Sequence, residues 1–200
     1  LFMETAQLEQ ELKKTVSGEV RFDQYSRALY STDASIYQIE PLGVVLPRSK
    51  EDVIATVELA HRYGVPILPR GGGTSLAGQT VGRAIVIDMS KYMNDLLEVN
   101  TEERWARVQP GVVPEQLNHR IRDTGLFFTP DPATSNRSNV GGAIGNNSCG
   151  AHSILYGKTV DHVIATRNLL TNGEVVEFRS LTSAQVAQKS KGETREAAIY

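Results

Sequence analysis

Pro69-Arg70-Gly71-Gly72-Gly73-Thr74-Ser75-Leu76-Ala77-Gly78-Gln79 follows directly on the apolar run Val65-Pro66-Ile67-Leu68. A strand that empties into three consecutive glycines presents backbone rather than side chain. Without Cβ atoms, successive amide N–H groups can turn the same way and form a concave nest for an anion, most often a phosphate. Thr74 and Ser75 add hydroxyl donors at the rim. The spacing matches neither of two familiar phosphate loops. A P-loop needs Gly-Lys-Ser/Thr, which is absent, and a dinucleotide fingerprint beginning at Gly71 needs glycine where Leu76 stands. The run therefore reads as a pyrophosphate cradle of another type. A mobile surface turn is the competing reading, but flexible linkers are polar on both flanks, and this loop is wedged between apolar runs.

The neighbouring segments supply the frame. Before the loop, Gly43-Val44-Val45-Leu46-Pro47 reads as a buried strand. Ser49 with Asp52 resembles a capping box that opens a helix over about residues 50–63, with Val53, Ile54, Val57 and Ala60 on one face and Gly64 at its end. After the loop, Ala84-Ile85-Val86-Ile87-Asp88 is a second buried run. Residues 96–99 and 104–108 form a hairpin. Pro114 and Gly125 bracket a helix over 113–124 with Leu117 and Ile121 inward. Leu8 and Leu12 mark a peripheral helix over 2–15, and Ser31 to Tyr37 is an irregular lead-in. Asn172-Gly173 predicts a type I′ turn between residues 163–170 and 174–178, and the tail from Leu181 has mixed helical character.

A second small-residue segment, TPDPATSNRSNVGGAIGNNSCG, spans Thr129 to Gly150 and holds almost no large apolar side chain. Two such clusters suit one extended ligand gripped from two sides, a dinucleotide with a pyrophosphate in its middle, rather than a mononucleotide. The totals exclude several alternatives. With 200 residues and a formal charge of −2, the chain offers no broad attraction for nucleic acid or an anionic membrane. No apolar run approaches the ~20 residues of a membrane span. The single cysteine, Cys149, forbids an internal disulfide and cannot alone hold an iron–sulfur cluster, and the sequence offers no metal-ligand set.

Three motifs in order carry a resemblance: Pro-Arg-Gly-Gly-Gly-Thr-Ser with Gly78-Gln79, then Asp131-Pro132-Ala133-Thr134-Ser135 running to Val140-Gly141-Gly142, then Tyr156-Gly157. Together they resemble the FAD-binding domain of the vanillyl-alcohol oxidase and p-cresol methylhydroxylase (PCMH-type) superfamily. Within it, the likeness is greatest to FAD-linked oxidases related to glycolate oxidase, D-lactate dehydrogenase and D-2-hydroxyglutarate dehydrogenase. The resemblance implies an α+β fold of two lobes with FAD between them. Residues 1–40 would be helix and lead-in, 41–100 a first lobe with the pyrophosphate loop, and 101–200 a second lobe that stops before a substrate domain. It implies that Gly71, Gly72, Gly73, Thr74 and Ser75 hold the pyrophosphate, with Gly78 and Gln79 completing the loop, and Arg70 beside them is either a phosphate partner or a surface residue. Pro132, Ser138, Asn139, Gly141, Gly142, Asn147, Gly150, Tyr156 and Gly157 would line the flavin side. Thr74 stands where covalent members carry histidine, and Arg137 about where others carry cysteine, so FAD is expected to be non-covalent.

The implied activity is hydride transfer from a D-2-hydroxy acid such as D-lactate, glycolate or D-2-hydroxyglutarate to FAD. The substrate is expected to be held by a C-terminal domain outside these residues, with an iron–sulfur domain or subunit as electron acceptor. These residues alone are then expected to bind FAD weakly and not to turn over. The expected location is cytoplasmic, or peripheral to the inner membrane through that acceptor. An NADPH-dependent enolpyruvyl reductase of cell-wall synthesis and a non-catalytic nucleotide-binding module are the alternatives. Catalytic residues stay unassigned. His152 near the second cluster is either a proton carrier or a packed histidine bonded to a loop carbonyl. Cys149 is expected to be a small buried residue, His119 to be solvated, and Lys158 to be either a phosphate partner or a surface residue.

Overall fold

The computed structural model describes residues 2–200. Residues up to His162 form one compact unit and Val163–Tyr200 a second. In the first unit, helix α1 (Phe2–Thr15) leads into strand β1 (Glu19–Arg21), helix α2 (Gln24–Leu29) and strand β2 (Gly43–Leu46). Helix α3 (Lys50–Arg62), strand β3 (Ile67–Arg70) and strand β4 (Ile85–Asp88) follow. The sheet order is β1-β2-β4-β3, with β2, β4 and β3 parallel and β1 antiparallel at one edge. Both inner strands are buried at every position, as a parallel sheet covered on two faces requires.

Alternation along the strands divides the core. Val45 and Ile85 face one way and pack with Leu59 of α3 and with Leu8, Leu12 and Val16 at the N-terminus. Val44, Leu46 and Val86 face the other way, against Tyr30, Leu68 and Tyr92. The helix expected to be peripheral is therefore part of the core, with Leu8 and Leu12 wholly shielded. The stretch before Pro41 also holds β1 and α2, which short polar runs did not reveal. Asp23 caps α2 by accepting from Ser26 N at 2.8 Å.

Helix α3 corrects the expected face and cap. Its buried residues are Asp52, Thr56, Val57, Leu59 and Ala60, whereas Val53 and Ile54 are half-buried. Ser49 Oγ accepts from Asp52 N at 3.2 Å, but the Asp52 carboxylate does not close the box. It accepts instead from Ser17 N at 2.8 Å and Arg48 N at 2.8 Å, tying the end of α1 to the start of α3. Burial works to raise the Asp52 carboxyl, and the Arg48 and Ser17 donors outweigh it and hold the group below its ordinary value. The stability this confers is present above the ordinary carboxylate value, near pH 4, and disappears as pH falls through the lowered folded value. Asp52→Asn is expected to cost about 1–3 kcal/mol at pH 7. The difference from wild type should shrink at about pH 3, as urea titrations at the two pH values would measure.

The rest of the first unit packs behind the second small-residue segment. Strands β5 (Leu96–Asn100) and β6 (Trp105–Val108) form the expected hairpin, with Arg104 at φ 60°. Helix α4 (Pro114–Ile121) passes into a 3-10 turn, Arg122–Thr124, that ends at Gly125 with φ 73°. Leu117 and Ile121 pack with Val112 and with Val140 of the short helix α5 (Val140–Gly145). Helix α6 (Ser153–Tyr156) and a 3-10 turn, Thr159–His162, complete the unit.

In the second unit, β7 (Ala165–Leu169) pairs antiparallel with β8 (Val175–Arg179), followed by α7 (Ser183–Lys189). The hairpin is real but its turn is not type I′, because Asn172 is not among the residues with positive φ. Gly173 N donates to Leu170 O at 3.0 Å and Gly173 itself takes φ 88°. This is a type I turn followed by a left-handed glycine, which lets Asn172 avoid the strained region. Thr182 and Gln185 form a complete capping box on α7.

Candidate functional site

The glycine-rich loop leaves β3 and meets the second small-residue segment directly. A Cβ on Gly71 would lie 2.4 Å from Asn139 Oδ1, and one on Gly72 would lie 2.2 Å from the Arg137 carbonyl oxygen. Only residues without side chains permit this approach. Asn139 Nδ2 donates to Gly111 O at 2.6 Å, which fixes the amide so that Oδ1 faces Gly71. The Asn139 Oδ1 and Ser138 Oγ atoms are buried at this contact without a hydrogen-bond partner. At the rim, Gln79 Nε2 donates to Asn146 Oδ1 at 3.1 Å, a second bridge between the same two segments.

Between those bridges the backbone is unsatisfied. Among the described residues, no hydrogen bond engages the N–H groups of Gly71, Gly72, Gly73, Thr74 or Ser75. Five donors without acceptors, on a loop with a left-handed Gly73 at φ 62°, suit a doubly negative pyrophosphate. Facing space is also left on α5. A Cβ on Gly142 or Gly145 would meet nothing within 4 Å, whereas one on Gly141 would lie 2.8 Å from Pro110 Cβ. Gly141 thus serves packing against Pro110, and Gly142 and Gly145 keep one side of the helix open.

The irregular lead-in is the brace of the loop. Ala34 N donates to Gly73 O at 3.0 Å, and the Tyr37 ring lies against Gly78, whose φ is 75°. Asp33 accepts from Ser35 N at 2.8 Å and from Thr80 Oγ1 at 2.9 Å. Burial works to raise the Asp33 carboxyl, and those donors outweigh it and hold it low. The role of Asp33 has a sequence signal, since Thr32-Asp33-Ala34-Ser35 has the composition of an Asx turn. Arg70 points back into this brace, donating to Tyr30 O, Thr32 O and Thr80 O. Tyr30 in turn donates to Asp88 Oδ2 at 2.6 Å, and burial followed by that partner pushes its phenol well above the ordinary value.

The remaining expected residues gather elsewhere on the second segment. Pro132 O closes a turn by accepting from Ser135 N at 2.7 Å. Asn147, at φ 47°, spends its Oδ1 on Val160 N at 3.0 Å. Gly150 lies against the Asp131 backbone, and Gly157 takes φ 83° beside Asp161. Asp161 Oδ2 accepts from Lys158 N at 2.7 Å. Tyr156 meets Phe127 edge-on at 5.8 Å, and its carbonyl receives a hydrogen bond from His162 Nε2 at 2.7 Å. Of these, Ser135, Phe127 and Tyr156 line a groove of about 380 Å³ with Asp131 and His152 in its wall, whereas Pro132, Asn147, Gly150 and Gly157 do not reach it.

Two expectations fail here. His152 is exposed and its Nδ1 is bonded to the Asp131 carboxylate, not packed against a loop carbonyl, and that contact holds the Asp131 carboxyl below its ordinary value. Cys149 is exposed rather than buried, because the 146–152 segment runs along the surface of its unit. His119 is exposed, as expected. No helix of the described residues is long and apolar enough to cross a membrane.

The FAD binding domain family matches residues 41–179, which include both glycine segments and the contact between them. The chain belongs to that family. This FAD-binding domain is 41% identical over 187 residues to the D-2-hydroxyglutarate dehydrogenase of Pantoea ananatis, a match that covers 92% of the chain and 18% of the relative. It is 36% identical over 176 residues to glycolate oxidase subunit GlcD of Bacillus subtilis, covering 86% of the chain and 37% of that protein. Among solved structures, an alkyldihydroxyacetonephosphate synthase superposes with a TM-score of 0.80 at 27% identity, over 90% of this chain and 37% of that one. A p-cresol methylhydroxylase superposes at 0.73 and 21% identity, over 88% of this chain and 35% of that one, and shares the fold. The FAD-binding domain is thus of the PCMH type, an α+β fold as expected. It spans less than a fifth of the length of the dehydrogenase.

Proposed function

We propose that this domain holds FAD non-covalently and is the cofactor-binding part of a flavin-dependent enzyme that oxidises a D-2-hydroxy acid. The observation that carries the reading is the contact of Gly71 with the Asn139 side chain and of Gly72 with the Arg137 carbonyl, flanked by unengaged amide N–H groups. The amides of Gly71 to Ser75 would take the pyrophosphate, and the open side of α5 at Gly142 and Gly145 would leave room for a flat group. Bound FAD supplies the hydride acceptor. This chain's residues orient it, satisfy its charge with neutral donors and exclude water from one side. The hydroxy-acid names of the relatives support this substrate class over the enolpyruvyl alternative. Substrate binding and proton removal are assigned to residues outside this chain. So is an iron–sulfur acceptor, since Cys149 is the only thiol here.

Non-covalent attachment rests on Thr74 following the glycines and on Arg137, whose guanidinium pairs with Asn136 Oδ1 at 2.9 Å. The test is direct. Acid precipitation of the yellow protein should leave a colourless pellet and FAD in the supernatant. A yellow pellet would refute non-covalent attachment, and a folded chain that takes up no FAD would refute the cofactor.

Gly142→Ala separates binding from folding. The added methyl meets no protein atom, and alanine is favoured over glycine in a helix by about 0.5–1 kcal/mol. Thermal stability of the FAD-free protein should therefore hold or rise. FAD affinity should fall about tenfold as the methyl enters the open side, as flavin fluorescence titration would record.

A further inference from the structure

Resting on the FAD reading above, we propose that Arg70 is a positioning residue. It shapes the anion nest from behind and brings no charge to the ligand, so the pyrophosphate is met by neutral donors.

An arginine one residue before a glycine nest invites the opposite assignment, a phosphate clamp. Its contacts argue against that. Nη1 donates to Tyr30 O at 3.3 Å and Thr80 O at 3.1 Å, and Nη2 to Thr32 O at 2.8 Å. These carbonyls come from the end of α2 with the adjoining lead-in and from the far end of the loop, two stretches that the fork draws together. The guanidinium also lies over the Tyr30 ring at 5.2 Å. A Cβ on Gly73 would lie 2.6 Å from Nη2, so the loop bends around the back of the fork. Asp33 clamps the same two strands of chain through Thr80, and Ala34 N holds Gly73 O. A planar five-donor fork can hold three carbonyls at once, which the compact ammonium of lysine cannot reproduce. The loop's curvature, with its five idle N–H groups, is what this arrangement maintains.

The charge-preserving variant decides between the two roles. FAD affinity would be measured by flavin fluorescence for wild type, Arg70→Lys and Arg70→Ala at low and high salt. Amide hydrogen exchange would be followed in the FAD-free proteins. A positioning role predicts that both variants weaken FAD about 30-fold, the loss expected for charge-assisted hydrogen bonds. The salt dependence should stay at its wild-type slope, because no screened ion pair is removed. The amides that tie the brace to the loop, Ala34 N bonded to Gly73 O and Thr80 N bonded to Asp33 Oδ2, should exchange faster while those of β2 and β4 do not change. Free guanidinium should restore part of the affinity of Arg70→Ala. The proposal is overturned if Arg70→Lys binds FAD within about threefold of wild type, or if Arg70→Ala flattens the salt dependence, since both mark a charge in contact with phosphate. Should wild type bind no FAD, the functional reading fails separately. Exchange in the variants then decides this proposal, with unchanged exchange of the Ala34 and Thr80 amides overturning it.

Discussion

Gly72→Ala is expected to lower FAD affinity by at least about 100-fold and to destabilise the protein by about 1–3 kcal/mol. The new methyl would lie 2.2 Å from the Arg137 carbonyl oxygen, a backbone atom with no rotamer to escape into. One segment must move away, and each is anchored. Arg137 N donates to Thr134 O at 2.9 Å, and Val140 N to Val112 O at 2.8 Å, while the loop is held by Ala34 and Arg70. The movement would open the contact that sets the width of the site, so binding should suffer more than folding. Gly82→Ala is the control, because its Cβ would sit at an ordinary 3.4 Å from Leu68 Cδ2. Calorimetric titration with FAD and urea unfolding of both variants measure the two effects. Wild-type affinity in Gly72→Ala would disprove the contact.

Leu8→Ala is expected to cost about 2–5 kcal/mol, the largest stability effect among these substitutions. Leu8 has no exposed surface and packs in the cluster that includes Leu12, Leu59, Val45 and Ile85. Its loss would leave a cavity between α1 and the sheet, bounded by strands that cannot collapse without breaking their ladder. A helix that merely decorated the surface would cost under about 0.5 kcal/mol. Urea unfolding should show a lower midpoint with an unchanged slope, since the buried surface of the rest is the same. The prediction also concerns the extent of the domain. The family match begins at residue 41, and α1 lies before it. If Leu8→Ala destabilises as expected, the cooperative unit begins earlier than that match.

Both residues contrast what pattern and packing disclose. Leu8 and Leu12 are visible as a helical pair, but amphipathic spacing shows a buried face without showing its partner. Their importance follows from Leu59 and Ile85, which are distant in sequence. In α3 the periodicity locates the helix, and the cap at Ser49 forms. Its acidic partner goes elsewhere, because Ser17 offers donors from another part of the chain and Arg48, just before the cap, adds a third. Asn172-Gly173 likewise locates a turn without deciding its type. His152 and Cys149 depart from expectation for a related reason: a small-residue segment gives no periodicity from which to infer what it covers.

The glycine loop itself is legible, because a run of residues without Cβ atoms after an apolar strand has few purposes other than close backbone approach. The second segment is legible by composition, and the order of the motifs points to the family. What tertiary structure decided is how these pieces divide the work. It brought Gly71 and Gly72 onto Asn139 and Arg137, bonded Arg70 to the carbonyls of Tyr30, Thr32 and Thr80, and made the lead-in around Asp33 a brace. The amino-acid sequence alone determined where the two glycine segments lie and that their backbone can be closely approached, since local sterics and hydrogen-bonding capacity are properties of each residue. Only the fold decided which groups remain free to meet a ligand, because every donor and carbonyl is claimed or spared by neighbours that arrive from elsewhere in the chain.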